Sequence, residues 1–461
     1  MKYPIQTLFF LFVISMTFTF SVAQDSDDET IKSIFDKALS EGNSYQNLDV
    51  LSNRIGGRLS GSPEAAAAVE WSKQLMESYN FDKVYLQEVM VPHWVRSDVE
   101  IARITGSPSV GNRELHITSL GNSLGTGEKG VHAEIIEVKK FEDFDQLTNT
   151  QVEGKIVFFS EPMDPTLINT FDAYSKAVRQ RSQGPSKAAS KGALAVLVRS
   201  MGLFEDDAPH TGALRYDESV KKIPAVAVST NDATLLSDLL GKGEQVKVYL
   251  ENHCEMLPDV LSYNVIGELT GSEKPKQYIT VGGHLDAWDN GDGAHDDGSG
   301  CVQSIEVLRI FKELDIRPKN TIRAVMFMNE ENGLRGGRKY AEQSKAKSEK
   351  HIAAIESDRG GFVPIGFSID SDDKTFKKIQ KWQSLFEPYN MHKFIKGYAG
   401  ADIGPLKDQG VALIGYLPDP QRYFKYHHTN IDTFEAINQR ELEMGAAAMA
   451  SLVYLIDQYG L

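Results

Sequence analysis

Four apolar segments in the second half of the chain constrain its fold more than any other feature. They lie at 278–282, 321–328, 351–356 and 411–417. Each has the length of a β-strand, and none alternates strictly between apolar and polar residues. Continuous apolar runs of this kind are typical of strands that are covered on both faces. The sequence therefore predicts a sheet that is buried between two layers of helices.

Helical patterns separate these segments, with apolar residues at spacings of three and four. The predicted helices lie at 302–311, 334–344, 376–386 and 440–459. An earlier helix is predicted to begin after Ser62 and to end near Tyr79, because serine caps a helix and Pro63 suits its first turn. Strands that alternate with helices predict an α/β fold with a mixed, mostly parallel sheet sandwiched by helices.

The segment at 107–255 differs, because short Val- and Ile-rich runs of strand length alternate there with polar loops. A chain of 461 residues also exceeds what one hydrophobic core usually fills. We therefore predict that 107–255 is a small β-rich domain inserted into a larger domain, which is formed by 24–106 and 256–461. Residues 24–45 are predicted to be either a first helix or a removable prosegment.

The N-terminus predicts export. Lys2 gives a positive start, 8–20 is apolar, and Ser21-Val22-Ala23 has the small residues of a cleavage site. The apolar run is shorter than the roughly 20 residues that span a bilayer. We therefore expect 1–23 to be a cleaved signal peptide, and the mature protein to be secreted or periplasmic without stable membrane insertion.

Charge and cysteine content limit the possible partners and cross-links. The formal net charge of -15 disfavours nucleic acid and anionic lipid as partners. Export would permit a disulfide between Cys254 and Cys301. However, Cys301 begins an apolar helical pattern, and this position favours a buried thiol over a disulfide.

Potential metal ligands follow every predicted strand of the larger domain. In chain order they are His284, Asp286, Asp296, Glu330, Glu331, Asp358 and His428. In α/β sheets, ligands bind beyond the carboxyl ends of the strands. Zinc binds imidazole nitrogen and carboxylate oxygen. Since chance would rarely place such a residue at every strand end, the sequence predicts a metal site at this edge of the sheet.

Glu330 and Glu331 are adjacent carboxylates directly after an apolar strand. Their mutual repulsion makes burial costly unless a cation compensates for it. One interpretation is that Glu331 begins the next helix and stabilises its N-terminal dipole. The favoured interpretation is that one glutamate binds metal while its neighbour carries protons.

These motifs resemble the di-zinc exopeptidase family that includes bacterial leucyl aminopeptidases, glutamate carboxypeptidase II and carboxypeptidase Q. The family order is matched by His284-Leu285-Asp286, Asp296-Asp297, Glu330-Glu331-Asn332-Gly333, Asp358 and His428. The resemblance is greatest to the carboxypeptidase Q branch, and the inserted segment would then be similar to a protease-associated domain. One departure is His427, which stands where several relatives have tyrosine.

The resemblance implies two Zn²⁺ per subunit, with Asp296 bridging them. His284 and Asp358 would complete one zinc site, and Glu331 and His428 the other. Glu330 would be the general base for a water shared by the metals, which lower the pKa of bound water towards about 7. Asp286 would orient His284 by accepting its other ring proton. We expect His427 to donate a hydrogen bond to the developing oxyanion.

The implied function is that of an exported exopeptidase, favoured as a homodimer, that hydrolyses dipeptides or short peptides. Carboxypeptidase or dipeptidase action needs a cation for the substrate carboxylate, whereas aminopeptidase action needs an acid for the amine. Candidates of both kinds are Arg335, Arg359, Lys396, Arg422, Asp289, Asp292, Asp402 and Asp419. Glutaminyl cyclisation with one zinc and a non-catalytic, receptor-like binding protein also remain open.

Overall fold

The computed structural model describes residues 26–96 and 98–461, so the predicted signal peptide at 1–23 lies outside the described residues. The strands are β1 (Lys83–Val95), β2 (Glu100–Ser107), β3 (Gly111–Leu115), β4 (Ile117–Ser119), β5 (Val131–Val138), β6 (Ile156–Phe159), β7 (Ala195–Arg199), β8 (Ala225–Val228), β9 (Lys247–Asn252), β10 (Glu255–Leu269), β11 (Lys274–His284), β12 (Asn320–Phe327), β13 (Lys350–Glu356), β14 (Pro364–Asp370), β15 (Lys393–Lys396) and β16 (Ala412–Pro418). They form two eight-stranded sheets.

The helices connect and cover these sheets. They are α1 (26–41), α2 (Ser44–Asp49), α3 (Pro63–Ser78), α4 (Asn149–Val152), α5 (Thr170–Ala177), α6 (Arg179–Ser182), α7 (Gly184–Ala189), α8 (Thr230–Gly241), α9 (Ser299–Glu313), α10 (Arg335–Ala346), α11 (Asp373–Gln380), α12 (Gln383–Phe386), α13 (Tyr423–Tyr426) and α14 (Gln439–Tyr459). Across the described ranges, no helix combines the length and the apolar character that crossing a bilayer requires.

The first sheet has the strand order β1-β10-β12-β11-β13-β16-β14-β15. Its centre, β12-β11-β13-β16, is parallel, whereas β10 and β14 run antiparallel to their neighbours in this centre. Every residue of β12 is buried, which explains the continuous apolar run. The predicted mixed, mostly parallel α/β sheet is confirmed.

Helices cover both faces of the first sheet. Side chains of α1, α3, α9 and α14 pack with the sheet in the main hydrophobic core, and α10 contributes to a smaller core on the other face. Ser62 accepts a hydrogen bond from the main-chain nitrogen of Ala65 at 3.0 Å, as the predicted helix start requires. In α1, Ile31, Ile34 and Phe35 are all 1% exposed or less.

The second sheet has the order β3-β2-β9-β5-β6-β7-β8-β4. Its strands run from Glu100 to Asn252, while the boundaries predicted for the inserted domain, 107 and 255, stay a prediction. Two hydrophobic clusters cover this sheet. Cys254 and Cys301 are both buried, and no disulfide joins them.

Candidate metal centre

The predicted ligands meet at one edge of the first sheet because the central strands are parallel. His284 is the last residue of β11, which lies between β12 and β13. Glu330 and Glu331 follow β12, and Asp358 follows β13. These side chains therefore start from neighbouring strand ends, and His428 reaches the same place from the loop after β16.

His284, Asp296 and Asp358 form the first donor set. The Nε2 atom of His284 is 3.2 Å from Oδ1 of Asp296 and 3.4 Å from Oδ1 of Asp358. Burial lowers the pKa of His284, but hydrogen bonds to the two carboxylates outweigh burial and raise the pKa well above its ordinary value. The negative carboxylates that favour a proton on His284 would also attract a metal cation.

Asp296, Glu331 and His428, the residues expected for the second zinc, lie together and are called the second donor set here. The donor atoms that lie within 4.8 Å of one another are those of Asp296, His427 and His428. The Nε2 atom of His428 is 3.3 Å from Oδ2 of Asp296 and 3.1 Å from Oε2 of Glu331. The two carboxylate oxygens of Asp296 thus face different histidines. All three residues of the second donor set also line a small cavity of about 10 Å³, which is the space of roughly one water-sized sphere.

The buried oxygens test whether zinc fits this edge. Oδ2 of Asp296 and Oε1 of Glu331 are buried and have no hydrogen-bond partner among the described residues. Leaving such acceptors unpaired is costly, and for a charged group the penalty is larger. A cation would compensate for it, and imidazole with carboxylate is the donor chemistry that zinc prefers. The residues therefore fit zinc.

His427 lies beside the second donor set. Its ring stacks on that of His428 with centroids 3.6 Å apart, and its Nε2 is 3.8 Å from Oδ2 of Asp296. Burial, reinforced by the positive charge of Arg181, lowers the pKa of His427 well below its ordinary value. Its Nδ1 is buried and has no hydrogen-bond partner within the described ranges. A neutral imidazole in this place can donate or accept one hydrogen bond.

Asp286 acts through different atoms from those expected. The ring proton of His284 goes to the main-chain oxygen of Asp286, at 2.9 Å from Nδ1, and not to its carboxylate. The carboxylate instead accepts the main-chain N–H groups of Asn329, Glu330 and Glu331, at 2.6, 3.0 and 3.3 Å. Asp286 therefore fixes the turn that carries both glutamates.

The loop that carries Asp296 is held by groups whose structural role the sequence did not reveal. Asp432 accepts the main-chain N–H groups of His295 and Asp296, at 2.8 and 3.1 Å. Arg58 is fully buried and donates to the main-chain oxygens of Leu285, Asp292 and Gly293, in the segment that leads to Asp296. His295 points away from the donor sets, and its ring stacks on Phe362 with centroids 4.1 Å apart.

A cavity of about 940 Å³ opens over the donor sets. Aromatic side chains line it, among them Phe171 and Tyr174 from α5 and Tyr423 from α13. Glu330 faces the same space, and desolvation raises its pKa to about 8. The cavity has the size of a small-molecule site.

Arg181 is the buried cation of this cavity, and the sequence did not single it out. The side chain comes from α6, beside the second sheet, and the residue is 6% exposed. It donates to Tyr174 Oη at 2.6 Å and to the main-chain oxygen of Thr211 at 3.2 Å. Its Nε has no hydrogen-bond partner in the part of the chain described. A guanidinium that lines a cavity can bind an anionic group there.

The charged residues considered for the substrate termini do not line this cavity. Four of them form the ion pairs Arg335–Asp259, Lys396–Asp373, Arg422–Glu441 and Asp289–Arg96. Arg359 donates to the main-chain oxygen of Tyr398 at 3.2 Å. Of the described residues that line the cavity, none belongs to the predicted set of eight.

Sequence comparisons place this geometry among known peptidases. The model of peptidase family M28 matches residues 264–453. Carboxypeptidase Q of Bos taurus is 35% identical over 416 residues, which are 90% of this chain and 85% of that protein. Carboxypeptidase Q of Homo sapiens is 34% identical, again over 90% of this chain and 85% of that protein.

Solved structures share the fold. A peptidase M28 precursor from Shewanella amazonensis superposes with a TM-score of 0.89 at 32% identity, covering 94% of this chain and 97% of that chain. An aminopeptidase from Aneurinibacillus gives a TM-score of 0.62 at 23% identity, covering 92% of this chain and 95% of that chain. A zinc aminopeptidase from Bacillus subtilis gives 0.64 at 20% identity, covering 90% and 95%. At such identities the two aminopeptidases show the fold alone.

Proposed function

The chain belongs to peptidase family M28 and is a zinc metallopeptidase, and on this basis we propose that it is an exported exopeptidase with two zinc ions per subunit that hydrolyses dipeptides or other short peptides. The position of Asp296 carries this proposal. One of its oxygens faces His284 and Asp358, and the other faces His428 beside Glu331. Asp296 would bridge the two ions.

Glu330 is proposed as the proton carrier. Zinc held by the neighbouring residues would supply Lewis acidity for a substrate carbonyl and for water. The raised pKa of Glu330 suits a group that exchanges protons near neutral pH. Its carboxylate takes a proton from the attacking water and later delivers it to the leaving amine. Because Asp286 holds the Glu330 main chain at 3.0 Å, the carboxylate stays oriented towards the cavity.

His427 is proposed to stabilise the developing oxyanion. Its lowered pKa keeps the ring neutral, so that one N–H remains for a hydrogen bond. The ring is fixed by stacking on His428 and by edge contact with Tyr174. A fixed donor aimed at the substrate oxygen favours the transition state because no reorientation is needed during the reaction.

Arg181 favours carboxypeptidase or dipeptidase action over aminopeptidase action. The acids among the described cavity-lining residues are those of the donor sets and Glu330. Arg181 by contrast offers a buried guanidinium beside His428, at 3.4 Å between Nη1 and Nδ1. A substrate whose terminal carboxylate approaches this cavity-lining guanidinium would gain a charge-assisted hydrogen bond.

A panel of matched peptides tests this choice. Free dipeptides, N-acetylated dipeptides and C-amidated dipeptides are hydrolysed in parallel, with and without a chelator. We expect the free and N-acetylated forms to be cleaved, the amidated form to be cleaved poorly, and chelator to abolish all turnover. Cleavage of the C-amidated form but not of the N-acetylated form would establish aminopeptidase action instead.

Glutaminyl cyclisation and receptor-like binding have less support than peptide hydrolysis. Glutaminyl cyclisation uses one zinc, whereas this chain brings two donor sets together around Asp296. A metal-to-protein ratio of one, with ring closure of N-terminal glutamine, would favour cyclisation. A non-catalytic, receptor-like role is set aside because the chain is a metallopeptidase.

Export is proposed from Lys2, the apolar run at 8–20 and the small residues at 21–23. The similar protein from Shewanella amazonensis is also described as a precursor. N-terminal sequencing of the exported protein should begin at Gln24. A mature N-terminus at or after residue 45 would support the removable prosegment, and an uncleaved Met1 would contradict export with cleavage.

A homodimer is also proposed, through the ribbon formed by β1 and the first half of β10. Met90 and Leu261 are directly paired on this ribbon and each is 49% exposed. Contiguous exposed apolar surface can mark contacts between proteins. Leu261→Glu should convert a dimer into a monomer in light scattering, and a monomeric wild-type protein would contradict the proposal.

A further inference from the structure

A loop of the second sheet contacts the far side of the ring of His428. Thr211 lies in the connection between β7 and β8, and its main-chain oxygen is 3.3 Å from Nδ1 of His428. In return, the main-chain nitrogen of Thr211 donates to the main-chain oxygen of His428 at 2.9 Å. Two main-chain contacts therefore join the segment at 210–214, here called the support loop, to a proposed metal ligand.

The support loop is itself fixed to the second sheet. Thr211 is 0% exposed, and its hydroxyl donates to the main-chain oxygen of Ser119, in β4, at 2.7 Å. The main-chain nitrogen of Gly121 donates to the main-chain oxygen of Gly212 at 3.1 Å. The carbonyl that faces His428 thus keeps its place relative to the second sheet.

Gly212 allows the loop to come this close. Its φ of +127° lies in a region that residues with a side chain rarely adopt. A Cβ atom added there would lie 2.6 Å from Nδ1 of His428 and 2.3 Å from Nη1 of Arg181. Any larger residue would push against the ring from behind.

We propose that the support loop is a positioning element for His428, so that the affinity of the second donor set for zinc depends on the domain that carries the second sheet. The inference rests on the donor set proposed above. A histidine that binds metal through Nε2 keeps its proton on Nδ1 and needs an acceptor there, which fixes both tautomer and ring orientation. Thr211 supplies that acceptor, since the other neighbour of Nδ1, the guanidinium of Arg181, can only donate.

Gly212→Ala tests the proposal, with Gly154→Ala as the matched control. Gly154 also has a positive φ, of +73°, but no atom lies within 4 Å of its added Cβ. Zinc content and affinity are measured by elemental analysis and competition with a chromogenic chelator. We expect two zinc ions in the wild type and the control. In Gly212→Ala the second ion should bind about 10 to 100 times more weakly, which is the usual effect of losing such a partner.

Thr211→Val keeps the test valid if Gly212→Ala fails to fold. This variant loses the hydroxyl that anchors the loop, and Thr211→Ser restores it. Weakened binding of the second zinc in Thr211→Val, with recovery in Thr211→Ser, supports the proposal. Two zinc ions in the wild type, with unchanged affinity in the folded variants, would overturn the inference alone. A wild-type protein that binds only one zinc would overturn the two-zinc proposal and the inference with it.

Discussion

Replacement of Arg181 by methionine should lower kcat/KM most for substrates that have a free carboxylate. The guanidinium lines the cavity, so it can add a hydrogen bond to an anionic terminus that enters it. A hydrogen bond to a charged group contributes about 1.5 to 3 kcal/mol. At about 1.4 kcal/mol for each factor of ten, kcat/KM for a free dipeptide should fall about 10- to 150-fold. Methionine keeps most of the side-chain volume.

The assay compares two substrates in two proteins. For the C-amidated dipeptide, kcat/KM should change little in Arg181→Met, because the wild type gains no carboxylate contact with it. Zinc content is measured in parallel, since Arg181 also donates to the main-chain oxygen of Thr211 at 3.2 Å. Arg215→Ala is the matched control, because Arg215 lines the same cavity but is exposed. Equal losses for both substrates, at full zinc content, would refute the role of Arg181.

Three further predictions follow from the same structure. Glu330→Gln should keep both zinc ions in elemental analysis. Its kcat should fall by at least about a hundredfold, as expected for loss of general base catalysis. A variant that keeps most of its activity would exclude this role. His428→Ala should bind one zinc fewer than the wild type in the same analysis, and full zinc content would exclude it as a ligand. Burial raises the pKa of Glu443 to about 7, so the folded state binds its proton more tightly than the unfolded state, and stability falls as pH rises from about 4.5 to 7. In urea unfolding at pH 8, the free energy of unfolding of Glu443→Gln should therefore exceed that of the wild type by up to about 3 kcal/mol, and at pH 4 the two should be almost equal. An equal difference at both pH values would show that the raised pKa of Glu443 is not the cause.

The sequence predicted the centre of the first sheet well and its borders poorly. Strands such as β12 are buried on both faces, so their apolar runs are unmistakable. The first half of β10 is largely exposed and was not recognised, because pairing with β1 holds it in place and it has no apolar run. The predicted helix at 376–386 is divided into α11 and α12, with Lys381 and Trp382 between them.

The same contrast applies to the candidate site. Its acidic and imidazole side chains could be predicted because parallel strands bring their ends together. Arg58, Arg181 and Thr211 could not, because they act on main-chain oxygens or through one, and such contacts leave no sequence pattern. Asp286 was predicted to matter, but the sequence could not reveal that its main chain, and not its carboxylate, would contact His284.

The proposed two-zinc site depends most on Asp296, whose two carboxylate oxygens would each hold one ion. Anomalous diffraction from crystals of the zinc-loaded protein, recorded on both sides of the zinc absorption edge, tests it most directly. We expect two peaks about 3.5 to 4 Å apart, one beside His284 and Asp358 and the other beside Glu331 and His428. A single peak, or two peaks of which one does not contact Asp296, would contradict the account.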